Sequence, residues 1–458
     1  MRHVGVPRRD EHGAGPAFAA LAEVSDRALA QQPEALQERR PRALGRPAAQ
    51  EESAPGWLHD YNSFFATDAF ENPMPRLATR TNDFLTFQVM ELFKQAQALQ
   101  AAGKDIISLG IGEPDFTAPP QVVEALERAA RAGQSGYSPS AGLTPLREAI
   151  AQFYHEQFGA KVDPSRVIVT AGASGALTLA CAALVNSGGE VLMPDPSYPA
   201  NSNFVLAAGG VPRLIPSTAQ KRFQLSAQDV ARHWTPATQG VLVASPSNPT
   251  GTSIDHGELA ELLAQVRARD GFAIVDEIYL GLSYEGQPRS ALTLDDDVIV
   301  INSFSKYFHM TGWRLGWMIV PQDMVAPVEK IAASLAICAP TLAQHAALAC
   351  FSASAMKTFE HRREAFKQRR DYLLPEFERL GIQVPVKPDG AFYIYADIAS
   401  LGMDSAAFSQ RLLLEAGVAA VPGLDFGPAH GGHTMRFSYA TGLDRLEEAV
   451  ARMGRLLE

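Results

Sequence analysis

Residues 303–314 combine a lysine with the groups that bind phosphate. Ser303 and Ser305 stand at alternate positions directly before Lys306, and Arg314 lies eight residues after the lysine. A lysine in a partly desolvated pocket loses its proton more readily and can attack an aldehyde. Hydroxyls and a guanidinium suit a phosphate dianion. Because a surface turn has the same composition, this stretch alone leaves open whether it binds a phosphorylated aldehyde, which would be pyridoxal phosphate.

The elements around this stretch predict where it lies. The apolar run 298–302 reads as a buried strand, so Lys306 follows its carboxyl end, the edge where open α/β sheets place ligands. Asp276 directly follows a second predicted strand, 272–275. A buried carboxylate there needs a cation, which a pyridinium nitrogen supplies, although capping the next helix is an alternative.

Three more polar or aromatic residues follow predicted strands. Asn248 and Tyr279 could donate to a phenolate oxygen, and Tyr198 could stack on a flat ring. Turn chemistry for Asn248 and core packing for both tyrosines are alternatives. The small residues Gly172, Ala173 and Ser174 open an apolar helix after the strand 167–169, which is a potential phosphate site because a helix N-terminus presents free backbone N–H groups.

Strands alternate with helices over residues 165–320, which predicts an α/β fold with a large, mostly parallel, doubly wound sheet. Runs at 392–395, 418–421 and 435–439 and a closing amphipathic helix predict a smaller α+β domain. We therefore expect a disordered N-terminal extension at 1–74, a large cofactor-binding domain at 118–355, and a small domain formed by 75–117 with 356–458. The extension is rich in Ala, Pro and Gln, with weak apolar periodicity.

Composition argues against nucleic-acid-binding and membrane-spanning proteins, and the cysteine spacing argues against a metal site. The net charge of −10 gives no basic surface for nucleic acid. No apolar run reaches the ~20 residues that span a bilayer, and the start lacks a secretory signal pattern. Cys181, Cys338 and Cys350 have no metal-ligand spacing and read as buried free thiols. We expect a cytoplasmic protein without a metal, without nucleic-acid partners and without membrane association.

Six separated motifs resemble one family. They are the Ser-x-Ser-Lys run ending at Lys306, Gly312-x-Arg314, the Ser-x-Asn-Pro-Thr-Gly run at Asn248, Asp-Glu-Ile-Tyr from Asp276, the turn at Gly172, and the Met-Arg-Phe-Ser-Tyr-Ala-Thr run containing Arg436. In their order along the chain they are similar to the motifs of the class I/II aminotransferases, fold type I pyridoxal-phosphate enzymes, especially the bacterial aspartate aminotransferase branch. The resemblance covers about residues 75–458.

The resemblance implies a role for each matching residue. Lys306 holds the cofactor as an internal aldimine and shuttles the proton in a ping-pong transfer between an L-amino acid and a 2-oxo acid; Asp276 pairs with the pyridinium. Cofactor contacts are also implied for Asn248, Tyr279, Tyr198, Ser303, Ser305, Arg314, Gly172, Ala173 and Ser174. Arg436 and Gly112 bind the substrate α-carboxylate, with Asn248 and Tyr198 beside it. Ala173 and Ser174 depart from the family's usual Gly-Thr or Gly-Lys.

The resemblance further implies a role in amino-acid metabolism and a homodimer in which Tyr137 reaches the cofactor phosphate of the other subunit. A tyrosine that only packs its own loop is the alternative. Two rival functions stay open at this point: another reaction on the same fold, such as a β-lyase, a decarboxylase or a cyclopropane-forming synthase, and a ligand-sensing transcription regulator. The acidic N-terminal stretch argues against the regulator, which needs a basic winged helix. The amino donor is not readable from sequence.

Overall fold

The computed structural model describes residues 77–84 and 88–458. The predicted N-terminal extension, residues 1–74, therefore lies outside the described residues. Within the described ranges, twelve α-helices and twelve strands follow one another along the chain. No helix in those ranges has the length and apolar character needed to cross a membrane.

The helices alternate with strands through the middle of the chain. They are α1 (Gln88–Ala101), α2 (Pro120–Arg131), α3 (Thr144–Phe158), α4 (Gly172–Leu184), α5 (Ala200–Ala207), α6 (Ala227–His233), α7 (His256–Arg267), α8 (Val325–Ala336), α9 (Thr341–Ala347), α10 (Ala353–Arg379), α11 (Ser405–Arg411) and α12 (Leu443–Leu457).

Seven strands form the central sheet. They are β2 (Val167–Thr170), β3 (Glu190–Asp195), β4 (Val211–Pro216), β5 (Thr238–Ala244), β6 (Phe272–Asp276), β7 (Ile299–Ser303) and β8 (Gly316–Ile319), in the order β2-β8-β7-β6-β5-β3-β4. Only β8 runs antiparallel to its neighbours, β2 and β7. The predicted mostly parallel sheet is confirmed, while β4 and β8 were not predicted as strands.

Both faces of this sheet are buried, which explains its continuous apolar runs. Val241 and Val243 of β5 join one apolar cluster, while Leu242 between them joins the cluster on the opposite face. Helices α3 and α7 pack in the first cluster and α4 and α8 in the second. The sheet is therefore doubly wound, and the strand ends are fixed from both sides.

Five short strands form two further sheets. β1 (Ile107–Ser108) pairs in parallel with β10 (Val418–Ala419), and β9 (Tyr393–Asp397), β12 (Thr434–Ser438) and β11 (Val421–Pro422) form an antiparallel sheet in the order β11-β12-β9. The prediction of one strand over 418–421 is wrong, because the run divides at Ala420 between two sheets. The pairing of β1 with β10 is the contact that the predicted small domain requires, but the domain limits stay a prediction.

The cysteines only partly match their predicted environment. Cys181 and Cys350 are buried, and all three thiols are free. Cys338 is half-buried rather than buried, because α8 ends at Ala336 and the following turn lies near the surface.

Candidate active site

A cavity of about 280 Å³ lies at the carboxyl ends of β5, β6 and β7. The strand-end rule for open α/β sheets predicts a site at this edge. Predicted site residues on its wall are Gly112, Ala173, Ser174, Tyr198, Asn248, Asp276, Tyr279, Ser305, Lys306, Arg314 and Arg436. The same wall does not include Ser303, Gly172 or Tyr137.

Lys306 projects into this cavity from the turn after β7. Its Nζ donates to the carbonyl of Gly112 and lies 5.9 Å from the ring centroid of Tyr279. Desolvation lowers the lysine pKa to about 8, and Arg436 and Arg314 act in the same direction, while Glu113 opposes them. A large fraction of the amine is therefore neutral near pH 8, the form that attacks a carbonyl carbon.

Asp276 is the last residue of β6 and is buried. Its Oδ1 accepts a hydrogen bond from the backbone N–H of Ile278 at 3.0 Å. Desolvation raises the pKa of this carboxyl to about 7, although the Ile278 N–H and Lys306 both favour the ionised form. A carboxylate in this position is stabilised by a bound cation, so a protonated ring nitrogen fits the site.

Tyr279 and Asn248 line the same cavity as Lys306 and carry a hydroxyl and an amide group. The Tyr279 hydroxyl lies 2.9 Å from that of Tyr393. Asn248 Oδ1 accepts from Arg436 Nη1 at 2.9 Å, which leaves the Asn248 amide N–H groups directed elsewhere. Tyr279 and Asn248 are thus held by partners of their own, and both line the cavity.

One end of the cavity, which we call the anion end, is formed by Ala173, Ser174, Ser305 and Arg314. Its shape depends on glycine. A Cβ on Gly316 would lie 2.8 Å from the backbone nitrogen of Ala173, so any side chain there would push the start of α4 away. The free N–H groups at the start of α4, the Ser305 hydroxyl and the Arg314 guanidinium together suit a phosphate group. The residues present therefore fit the phosphate of pyridoxal phosphate.

Ser303 and Gly172 support the anion end rather than line it. The Ser303 hydroxyl donates to the Leu315 carbonyl at 3.0 Å and accepts from the backbone N–H of Ser305 at 3.0 Å. Gly172 has φ +75°, and a Cβ there would lie 2.7 Å from Arg314 Nη2. Ser303 thus positions Ser305, and Gly172 lets the guanidinium approach the helix start.

Arg436, on β12, lines the other end of the cavity, which we call the substrate end. Its Nη2 donates to the Gly110 carbonyl at 2.6 Å, and its guanidinium lies 4.5 Å from the ring centroid of Tyr393 and 4.8 Å from that of Phe426. Its Nε is buried without a hydrogen-bond partner among the described residues. A planar cation packed near two aromatic rings, with an N–H donor to spare, is suited to bind a carboxylate.

Seven wall residues were not predicted as site residues: Val89, Phe93, Gly110, Leu177, Ala244, Ile278 and Tyr393. Val89 and Phe93 are four residues apart on α1 and therefore share a face. That spacing predicts an apolar face, but not the surface against which it lies. Tyr137 is also separate from the cavity in this chain, because it is 82% exposed.

The fold and the cavity, in which a desolvated lysine amine and a buried arginine share the carboxyl edge of a parallel sheet, are those of an enzyme. More specifically, the chain belongs to the aminotransferase class I and II family, whose model matches residues 104–453. The predicted family resemblance is confirmed. Aminotransferases of this class are generally pyridoxal-phosphate-dependent.

Curated relatives agree with this membership. The chain is 40% identical over 373 residues to the valine–pyruvate aminotransferase of Mycobacterium tuberculosis, covering 81% of this chain and 96% of that protein. It is 37% identical over 364 residues to the aspartate aminotransferase of Pyrococcus abyssi, covering 78% of this chain and 93% of that protein.

Solved structures give the same result. An aminotransferase from Mycobacterium tuberculosis matches with a TM-score of 0.81 and 39% identity, covering 83% of this chain and 99% of that one. Aspartate aminotransferase from Thermus thermophilus with maleate matches with a TM-score of 0.79 and 34% identity, covering 84% and 100%. The chain is an aminotransferase that moves an amino group between an amino acid and a 2-oxo acid, and neither predicted rival function finds support in these matches.

Proposed function

We propose that this aminotransferase binds pyridoxal phosphate in the cavity between Lys306 and Arg436, with the phosphate at the anion end. The observation that supports this most strongly is the position of the Lys306 amine. It shares one cavity with the buried Asp276 carboxylate and with the Arg314 guanidinium. Its pKa is lowered to about 8 by desolvation, as attack on an aldehyde requires.

Asp276, Lys306 and Arg436 each have a separate role in the transfer. When bound, the cofactor's protonated ring withdraws electrons from the substrate carbon that loses a proton. Asp276 keeps the ring nitrogen protonated, because its buried carboxylate is stabilised by that charge. Lys306 Nζ takes the proton from the substrate Cα and returns one during transfer. Arg436 binds the α-carboxylate through two N–H groups and so orients the Cα–H bond toward Lys306.

The remaining predicted contacts support orientation. Asn248 and Tyr279 donate to the ring oxygen, and Tyr198, which lines the cavity, stacks on the ring. Ser303 and Gly172 act through Ser305 and Arg314, as their contacts indicate. Gly112 provides the carbonyl that accepts from Lys306 and lies beside the α-carboxylate site.

The proposed function is tested by trapping. Purified enzyme incubated with the cofactor and treated with borohydride should carry the cofactor on the peptide containing Lys306, read by mass spectrometry. An amino acid added alone before borohydride should remove the label, because the half-reaction leaves the amino group on the cofactor and releases the lysine, and a 2-oxo acid added afterwards should restore the label. A label on another lysine, or none after incubation, would contradict the assignment.

We further propose a homodimer in the cytoplasm. The free thiols support a reducing compartment. The loop 136–139 is held by a hydrogen bond from Gln344 Nε2 to the Ser138 hydroxyl at 2.9 Å, while the neighbouring Tyr137 stays exposed. Tyr137 is therefore available to donate to the anion end of a second copy, so assembly and cofactor binding are coupled.

Mixing two impaired variants tests whether Tyr137 of one subunit completes the site of the other. If Tyr137→Ala and Lys306→Ala are each strongly impaired, hybrid dimers contain one site with both wild-type residues, and activity should rise on subunit exchange. Exchange shown by mass without a gain in activity would place Tyr137 outside the neighbouring site.

A further inference from the structure

Helix α1 supplies an apolar wall to the substrate end of the cavity. Val89 and Phe93 both line the cavity and lie on one face of the helix. Phe93 Cε1 lies 3.7 Å from the position that a Cβ on Gly110 would take. Because the Gly110 carbonyl accepts from Arg436 Nη2, the Phe93 ring adjoins the backbone that holds the arginine.

Val89 approaches the same arginine from another side. It packs against the apolar cluster that contains Val421 and Phe426, and the Phe426 ring centroid is 4.8 Å from the Arg436 guanidinium. The backbone N–H of Val89 donates to Asp425 Oδ2 at 2.8 Å, which fixes the first turn of α1 in place. Val89 and Phe93 thus flank the carboxylate anchor.

Among the described residues on the cavity wall, the cations are Lys306, Arg314 and Arg436. The proposed function uses each of them, for proton transfer, phosphate binding and the α-carboxylate. Asp276 adds a negative charge. A second carboxylate at the end of a substrate side chain would therefore meet an apolar wall with no cationic partner from the described residues of its own chain, which is costly.

We propose that Val89 and Phe93 select amino acids with uncharged, apolar side chains, branched aliphatic or aromatic, over dicarboxylic ones. The reason is geometric, because the α-carboxylate and the side chain are bonded to the same carbon. When Arg436 binds the α-carboxylate, the side chain therefore lies near Val89 and Phe93, which flank this arginine. The inference rests on the proposed function, since it assigns the α-carboxylate to Arg436. The family match begins at residue 104 and does not include this wall.

The first measurement is kcat/KM of the wild-type holoenzyme with leucine, phenylalanine, alanine, aspartate and glutamate. The better of leucine and phenylalanine should exceed aspartate and glutamate by about tenfold or more, the discrimination that an apolar pocket provides. Equal or higher values for aspartate or glutamate would overturn the inference but leave the proposed function standing. Absence of transfer with every amino acid, together with no cofactor trapped on Lys306, would overturn both.

The second measurement removes the wall. Phe93→Ala should lower the ratio of kcat/KM for leucine to that for alanine by about tenfold, because leucine loses apolar contact that the methyl of alanine barely makes. Met90→Ala, exposed on the same helix, is the matched control and should leave the ratio unchanged. If Phe93→Ala does not accumulate as folded holoenzyme, Val89→Ala provides the same test. An equal loss for both amino acids would show that the wall only packs the helix and would overturn the inference.

Discussion

The two ends of the cavity are built in opposite ways. The anion end comes mainly from adjacent segments of one sheet, namely the start of α4, the turn after β7 and the Arg314 loop before β8. The substrate end is assembled from segments far apart in the chain, with Phe93 on α1, the Gly110 carbonyl, and Arg436 on β12.

This difference separates two ways of holding a ligand. At the anion end the backbone determines the geometry, because Gly172 and Gly316 leave no room for a Cβ. At the substrate end, ring stacking and side-chain hydrogen bonds hold Arg436. We therefore expect the anion end to keep cofactor under most side-chain changes, and the substrate end to change affinity and preference.

Lys306→Ala should separate binding from catalysis most strongly. Turnover should fall by about a thousandfold or more, because both the nucleophile and the proton carrier are lost. Cofactor should still bind non-covalently through the anion end, as measured by equilibrium dialysis beside steady-state rates. Loss of binding as well would show that the anion end is insufficient without the lysine.

Asp276→Asn should lower kcat by about a hundredfold to several thousandfold, the equivalent of the roughly 3–5 kcal/mol that breaking a buried ion pair costs. Asp297→Asn, an exposed acid shortly before β7, is the control and should retain its rate. Melting temperatures of the two variants should show that both are folded. Turnover close to wild type in Asp276→Asn would limit this residue to holding the turn through the Ile278 N–H.

Arg436→Lys should act on the substrate end alone. KM for the amino acid should rise about tenfold to a hundredfold, since a point charge replaces a two-pronged contact worth about 1.5–3 kcal/mol. Cofactor content should stay as in the wild type, and Arg455→Lys on the surface should change neither quantity. A drop in cofactor content would show that the two ends are not independent.

The pH dependence of cofactor capture should show the smallest effect. With a Lys306 pKa of about 8, the neutral amine fraction increases about tenfold between pH 7 and 9, so the rate of covalent capture by cofactor-free enzyme should rise over that interval and then level off. The sign follows because only the deprotonated amine attacks. Borohydride trapping at timed intervals measures this rate, and a midpoint near 10.5, the ordinary pKa of a lysine, would show that desolvation does not act on Lys306.

The parts of the fold that follow local rules were predicted from sequence. Apolar runs ending in polar turns predicted the parallel strands, and the strand-end rule placed Asp276 and Lys306 at one edge. β8 was missed because four residues after an irregular loop give too little periodicity, and its antiparallel direction depends on tertiary pairing.

The site shows the same limit. Alternate spacing of Ser303 and Ser305 suggested a common role, yet the chain leaves β7 at Ser303 and only Ser305 reaches the cavity wall. Val89 and Phe93 have a readable helical spacing, but their partners include Val421 and Gly110, and no local pattern specifies such distant contacts. The run 418–421 likewise reads as one strand because its apolar residues give no sign of two different partners.

The division at Ala420 has a consequence for tolerance to insertions and deletions. Val418 pairs with Ile107, two residues before Leu109 and three before Gly110, while Val421 pairs with Arg436. The two registers are therefore locked together by a single intervening residue. Adding or removing one residue at this point would force one ladder to slip, and a one-residue slip turns every side chain of that strand to the other face. We therefore expect insertions and deletions to be tolerated only in the loops around this segment. The backbone of residues 418–421 sets the spacing between Arg436 and the Gly110 carbonyl that orients it.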